Sequence, residues 1–288
     1  MKGRRQALRK GRIRVATCQF AVSSDIRQNA ATIRSQILVA KRRRANVVHF
    51  PEAALSGYAG KDVRSWDGYA WDVLKEETLA IMELAKAEKT WVIIGSAHPL
   101  SRGNLPHNSL YAISPKGVIQ DRYDKRFCTG GDLKFYSPGD HFTIFRINGV
   151  TCGMLICYDI RFPEMYREYK KLGAQLVFHS FYNARAKGPG IHKIIMRPTL
   201  QASAASNYIW VSATNSSAYY SWPSVFIQPD GVIAKQLPFN RPGVMVNVVD
   251  VRKKFYDASR GCRDLAMKGI LNSGKLVDDP RSKDRKSL

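Results

Sequence analysis

Apolar and polar positions along the chain follow two alternating periods. Residues 13–20 form an apolar run of strand length, and across 25–45 Ile26, Ala30, Ile33, Ile37 and Ala40 recur at helical spacing. Residues 47–50 make a short apolar run, β-branched at its start, that stops at Pro51 as a buried parallel strand would. The pattern next predicts a helix over 72–88, a strand over 91–97, and strands over 109–114 and 118–123 joined by Pro115, Lys116 and Gly117. After a turn at Ser137-Pro138-Gly139-Asp140, strands over 142–147 and 150–157 flank Asn148-Gly149, a dipeptide that favours a tight hairpin. A helix over 162–172, a strand over 175–179, a helix over 191–207 with Pro198 marking a bend or late start, and a strand over 208–213 follow. Segments 224–228, 231–236 and 243–250 read as a final antiparallel group turning at Pro229-Asp230-Gly231. Apolar strands alternating with amphipathic helices predict a layered α/β fold with helices covering the sheets. No linker or repeat divides the pattern, so the expected organisation is a basic N-terminal arm (1–12), one domain (13–250) and a polar C-terminal arm (251–288).

Composition narrows the class. With 288 residues and 44% hydrophobic content the chain can bury a large core. It has neither an uninterrupted apolar run of about 18 residues nor an apolar N-terminal leader, so no membrane partner is expected and the cytoplasm is the expected compartment. Cys18, Cys128, Cys152, Cys157 and Cys262 are scattered without a C-x-x-C pair and read as free thiols in a reducing compartment. A formal charge of +23, from 46 Lys and Arg against 23 Asp and Glu, raises nucleic-acid binding as the competing class. Lys2, Arg4, Arg5, Arg9, Lys10, Arg12 and Arg14 open the chain without an acid among them, but such an arm is ordinarily solvated. No DNA- or RNA-binding motif accompanies it, and a nucleic-acid partner is not the expectation.

Three groups with chemical potential, Glu52, Lys125 and Cys157, each follow a predicted strand end, where α/β folds place their sites. Singly, each has an ordinary reading: a loop carboxylate, one more surface cation, an inert buried thiol. Their surroundings alter that. His49-Phe50-Pro51-Glu52, Leu55-Ser56-Gly57-Tyr58, Tyr123-Asp124-Lys125 and, most specific, the run from Cys152 through Cys157-Tyr158-Asp159-Ile160-Arg161-Phe162-Pro163-Glu164 resemble the nitrilase superfamily of carbon–nitrogen hydrolases. The resemblance spans residues 13–250. It implies a nitrilase-like four-layered α-β-β-α sandwich, a homo-oligomer that is a dimer or larger, and no metal or organic cofactor. It also implies thiol-dependent hydrolysis of a non-peptide C–N bond in a small amide or N-carbamoyl compound, through a thioester acyl-enzyme. Nitrile hydrolysis and acyl transfer on the same triad stay open as alternatives.

The implied roles are chemically coherent. An amide carbonyl is a poor electrophile, so the Cys157 thiol needs a general base, which is the role of Glu52. The oxyanion formed by attack needs fixed positive charge and an N–H donor, supplied by Lys125 and the amide of Tyr158. A second carboxylate commonly lies seven residues after the family's lysine. Here that position holds Asp132, shorter than glutamate by one methylene and expected to orient Lys125 or the substrate. Where the family often carries a glutamate before Asn207 this chain has Ser206, which touches subfamily and assembly more than chemistry. Arg161 and Glu164 read as scaffolding residues, and Tyr58, Phe181, Asn183 and Arg185 as possible substrate contacts. His49, His179 and His192 show no metal-ligand spacing, so no metal site is expected.

Overall fold

The computed structural model describes residues 9–101, 103–185 and 190–287. Residues 1–8 of the expected basic arm therefore lie outside the described residues, and by Gly11 the chain is already held, its N–H donating to Asn148 O at 2.8 Å. The first of two sheets contains β1 (Arg12–Gln19), β2 (Val47–His49), β3 (Trp91–His98), β4 (His107–Ile113), β5 (Ile119–Asp124) and β12 (Gly243–Asp250), in the order β12-β1-β2-β3-β4-β5. The second contains β6 (Phe145–Ile147), β7 (Val150–Ile156), β8 (Leu176–Phe181), β9 (Trp210–Asn215), β10 (Val225–Ile227) and β11 (Ile233–Gln236), in the order β11-β10-β9-β8-β7-β6.

The two-residue period of the strands builds the layers. On β1, Ile13 and Val15 pack into the cluster that holds Phe178 and Val211 of the second sheet. Ala16 and Cys18 point the other way, into a cluster with Ile26, Ile33 and Ile37 of α1 (Ile26–Arg42). α1 and α2 (Trp71–Ala87) cover the first sheet, while α3 (Pro163–Lys171) and α4 (Ile191–Asn207) cover the second through Met165, Tyr166, Tyr169, Met196 and Leu200. The result is the four-layered α-β-β-α sandwich. Asp25 caps α1 by accepting from Gln28 N at 2.9 Å, and Lys41 and Arg42 sit in its last turn, where cations suit the helix dipole. α4 begins at Ile191 and runs on through Pro198, so the proline does not delay its start.

The predicted final antiparallel group divides between the sheets. β10 and β11 pair, but β12 crosses to the first sheet and lies antiparallel to β1 along its whole length, from Arg12↔Asp250 to Gln19↔Gly243. β1 offers an eight-residue partner edge, and the crossing buries Met245 and Val249 between the sheets. β11, largely exposed and carrying Lys235, is left as a short polar edge of the kind that resists further pairing. Past Val251 the chain is mostly exposed, yet Arg263 pairs with Asp257 and donates to Ser206 O at 2.8 Å. Ser206 thus contributes its backbone, not its side chain, to that contact.

Candidate active site

Pairing β1, β2 and β3 in parallel, with β4 reversing and β5 reversing again, brings the C-terminal ends of β2 and β5 to one end of the first sheet. β7 and β8 run parallel to each other in the facing sheet. Loops leaving these four ends carry the expected acid, amine and thiol.

Glu52 follows β2 because Pro51 has no N–H to continue the ladder. Its turn is pressed against β3 at Gly95, where an added Cβ would lie 2.3 Å from Pro51 O and 2.6 Å from Ala53 N. Only glycine fits this close approach. The Glu52 carboxylate is fully buried and fixed at both oxygens: Oε1 accepts from Lys125 Nζ at 2.9 Å and Asn108 Nδ2 at 2.8 Å, and Oε2 accepts from Tyr182 N at 2.8 Å.

Lys125 lies one residue past β5, its N–H donating to Asn108 O at 2.8 Å and its carbonyl accepting from Gly139 N at 2.9 Å. The ammonium, also fully buried, bridges Glu52 Oε1 and Asp132 Oδ2, each at 2.9 Å. Asp132 in turn accepts from Tyr58 OH and from Thr129 N. The Tyr58 ring stacks on Tyr182 with centroids 4.7 Å apart and lies 5.9 Å from Lys125 Nζ. The shorter carboxylate thus still reaches the lysine.

Cys157 stands at the end of β7 in a left-handed conformation, φ 42°, at the start of a 3-10 turn. A non-glycine residue held there is strained, and such strain persists only where surrounding bonds enforce it. Asp159 supplies them. Its carboxylate accepts from Ile156 N at 3.0 Å, Phe127 N at 3.0 Å and Tyr123 OH at 2.7 Å, tying the Cys157 turn to the strand and loop that bracket Lys125. Tyr158 follows Cys157, its N–H among the first of the turn, which have no partner within it. Asn183 Nδ2 lies 3.4 Å from Cys157 Sγ and is itself held by Trp222 Nε1, which donates to Asn183 Oδ1 at 3.0 Å.

Not every expected contact gathers here. Phe181 points to the other face of β8, stacking on His179 at 4.2 Å and meeting Trp222 at 5.0 Å between centroids; it packs the core. Arg185 reaches back, donating to Tyr182 OH and Val22 O and pairing with Asp62 at 3.1 Å, so it fastens the loop after β8 instead of standing free. His49 spans Ser212 and Ser180, each at 2.9 Å, as a fully hydrogen-bonded core residue. Glu164 lies in the first turn of α3, and Arg161 stands 3.5 Å from His192 Nδ1. Sequence reasoning missed Asn108, Asp159 and the amide of Tyr182.

Burial pushes the Cys157 thiol up, and the neighbouring Glu52 charge adds to this against the opposing pull of Lys125. The resting sulfur is therefore a thiol that needs a base. Burial also raises Glu52, partly offset by Lys125. For Lys125 burial works against the charge, but Glu52, Tyr58, Cys157 and Asp132 outweigh it and hold the ammonium protonated. Burial alone would lift Asp132 too; Lys125 and the hydrogen bond from Tyr58 bring it below the usual carboxylate range.

The model of the carbon–nitrogen hydrolase family matches residues 14–254. Omega-amidase NIT2 of Xenopus tropicalis is 28% identical over 240 residues, covering 78% of this chain and 84% of that protein. An (R)-stereoselective amidase of a Pseudomonas species is 29% identical over 189 residues, 63% of this chain and 65% of that one. Among solved structures, a mutant of the Nesterenkonia sp. AN1 amidase, with the acetamide moiety of fluoroacetamide covalently added at its active-site cysteine, superposes with a TM-score of 0.77. That match has 20% sequence identity and covers 92% of this chain and 99% of that one. The match to the family model covers most of the chain, and the chain belongs to the carbon–nitrogen hydrolase family.

Proposed function

We propose that this hydrolase cleaves the C–N bond of a small non-peptide amide through a thioester on Cys157. Glu52 takes the thiol proton as Cys157 Sγ attacks the carbonyl carbon. The Lys125 ammonium and the Tyr158 N–H hold the developing oxyanion, and Asp132 keeps Lys125 in place. The C–N bond breaks as Glu52 passes its proton to the departing nitrogen. Water, deprotonated by Glu52, then attacks the thioester; the acid leaves and the thiol regains a proton. The observation that carries this reading is the buried Glu52 carboxylate, bound at 2.9 Å by Lys125 Nζ and, through its other oxygen, at 2.8 Å by Tyr182 N, in the loop whose Asn183 contacts Cys157 Sγ. The names of the omega-amidase and stereoselective-amidase relatives support an amide as substrate. We extend the proposal to a domain over 13–250 flanked by two arms, in a cytoplasmic homo-oligomer. Ile191 and Ile194, 55% and 68% exposed on α4, offer an apolar patch for a subunit contact.

Intact-protein mass spectrometry during incubation with short amides and N-carbamoyl compounds tests the chemistry. A transient acyl adduct with release of ammonia or amine, both absent in Cys157→Ala, is the expected result. Release undiminished in Cys157→Ala would overturn it.

A further inference from the structure

The reaction proposed above gives no use for the +23 charge. A cleft of about 710 Å³ opens between β12, at the edge of the first sheet, and β10 and β11 of the facing sheet. Its place is set by register: Arg12 starts β1 opposite Asp250 at the end of β12, and Trp210 starts β9, so the cleft lies at the end of the strands away from Glu52 and Asn183. Arg9, Arg12, Arg252 and Lys253 line it against a single acid, Asp250. That acid is shared with Arg252 at 3.6 Å, while Arg9 and Arg12 have no carboxylate partner among the described residues. The apolar floor is made by Trp210 and Phe226, whose ring centroids are 5.8 Å apart, and Asn247 in the wall keeps a buried Nδ2 donor without a partner.

We propose that this cleft is a second ligand site, for an organic polyphosphate of the nucleoside triphosphate class. A single carboxylate would leave most of the converging cations uncompensated, whereas guanidinium groups bind phosphate oxygens in paired hydrogen bonds. The volume is that of a small-ligand pocket, and the apolar floor with its adjoining amides suits the organic part of such a molecule. The site is independent of the amide chemistry and stands or falls separately.

Calorimetric titration of the full chain with ATP and with inorganic tripolyphosphate, at low and high salt, tests this. One-to-one binding that weakens with salt, is tighter for ATP, and falls at least tenfold in Arg12→Ala/Lys253→Ala is expected. Both side chains are exposed, so the fold and the amide hydrolysis should persist. Lys75→Ala/Lys116→Ala, which removes two exposed cations elsewhere, should bind within about twofold of the parent. Absent binding, or equal losses in both double variants, would overturn the proposal; equal affinity for ATP and tripolyphosphate would overturn the role given to the apolar floor.

Discussion

Asn108 shows how much of the site rests on one side chain. It donates to Glu52 Oε1 at 2.8 Å through Nδ2, and its carbonyl accepts from the backbone N–H of Lys125 at 2.8 Å, so it positions both partners of the buried ion pair. A hydrogen bond to a charged group contributes about 1.5–3 kcal/mol, which corresponds to roughly a tenfold to hundredfold fall in kcat/KM for Asn108→Ala. The sign of the pH effect follows from the charge. The Asn108 N–H stabilises the carboxylate, and removing it lifts a Glu52 already raised by burial, moving the acid limb of kcat/KM to higher pH. An Asn108→Ala profile that is lower at every pH with an unmoved acid limb would show a purely structural role. In the sequence Asn108 is a polar residue at the start of a strand, indistinguishable from a turn residue. Glu52, Lys125 and Cys157 were legible because their neighbours formed motifs. Asp159 stood inside such a motif but went unread, since its partners Phe127 and Tyr123 lie on another element.

At the scale of elements, the ends of strands were legible, and they matter because they aim side chains. β2, β5 and β7 end within a residue or two of their predicted bounds, and each end carries one of the three groups. Sheet membership was less legible. Apolar alternation says that β12 has a face to bury, but β1 and β11 both present edges to it, and the choice is made by packing distant in sequence. The close approach of β3 to the Glu52 turn is likewise invisible in the pattern, because Gly95 sits in a strand where glycine is otherwise only a weak former. Gly95→Ala would drive a Cβ to 2.3 Å from Pro51 O, a backbone atom that no side-chain rotation can move away. The turn must shift, and displacement by about 1 Å is enough to cost on the order of a hundredfold in rate. The expected outcome is a folded protein, by circular dichroism and melting, with kcat/KM reduced about a hundredfold. Full activity would mean that the turn tolerates movement.

For the molecule as a whole, the layer between the sheets is not purely apolar, and this sets its response to acid. His49 joins Ser212 and Ser180 across the layer, burial pushing its pKa down to about 3, and burial also holds His179 well below the ordinary range. Between pH 6.5 and the folded value, the unfolded chain binds a proton at His49 that the folded chain does not. The stability owed to the neutral imidazole is therefore complete above the unfolded pKa and lost as pH falls, by about 1.4 kcal/mol per pH unit. Carboxylates raised by burial act in the opposite sense over part of this range. Asp159, raised to about 6 by burial, and Glu52 and Asp62, whose carboxyls burial also pushes up, take up protons in the folded state before the unfolded one does. These uptakes offset part of the loss at the histidines, so the parent protein's own acid curve does not isolate either contribution. The difference between the parent and His49→Phe does. The substitution leaves two hydroxyls without their imidazole partner and lowers stability at pH 7, but it also deletes one proton-binding site from the unfolded chain. The parent's advantage should therefore shrink by about 2 kcal/mol between pH 6.5 and 4.5, measured by urea denaturation at each pH. An advantage constant across that range would mean that His49 is charged in the folded protein, and that its two serine contacts are made by an imidazolium.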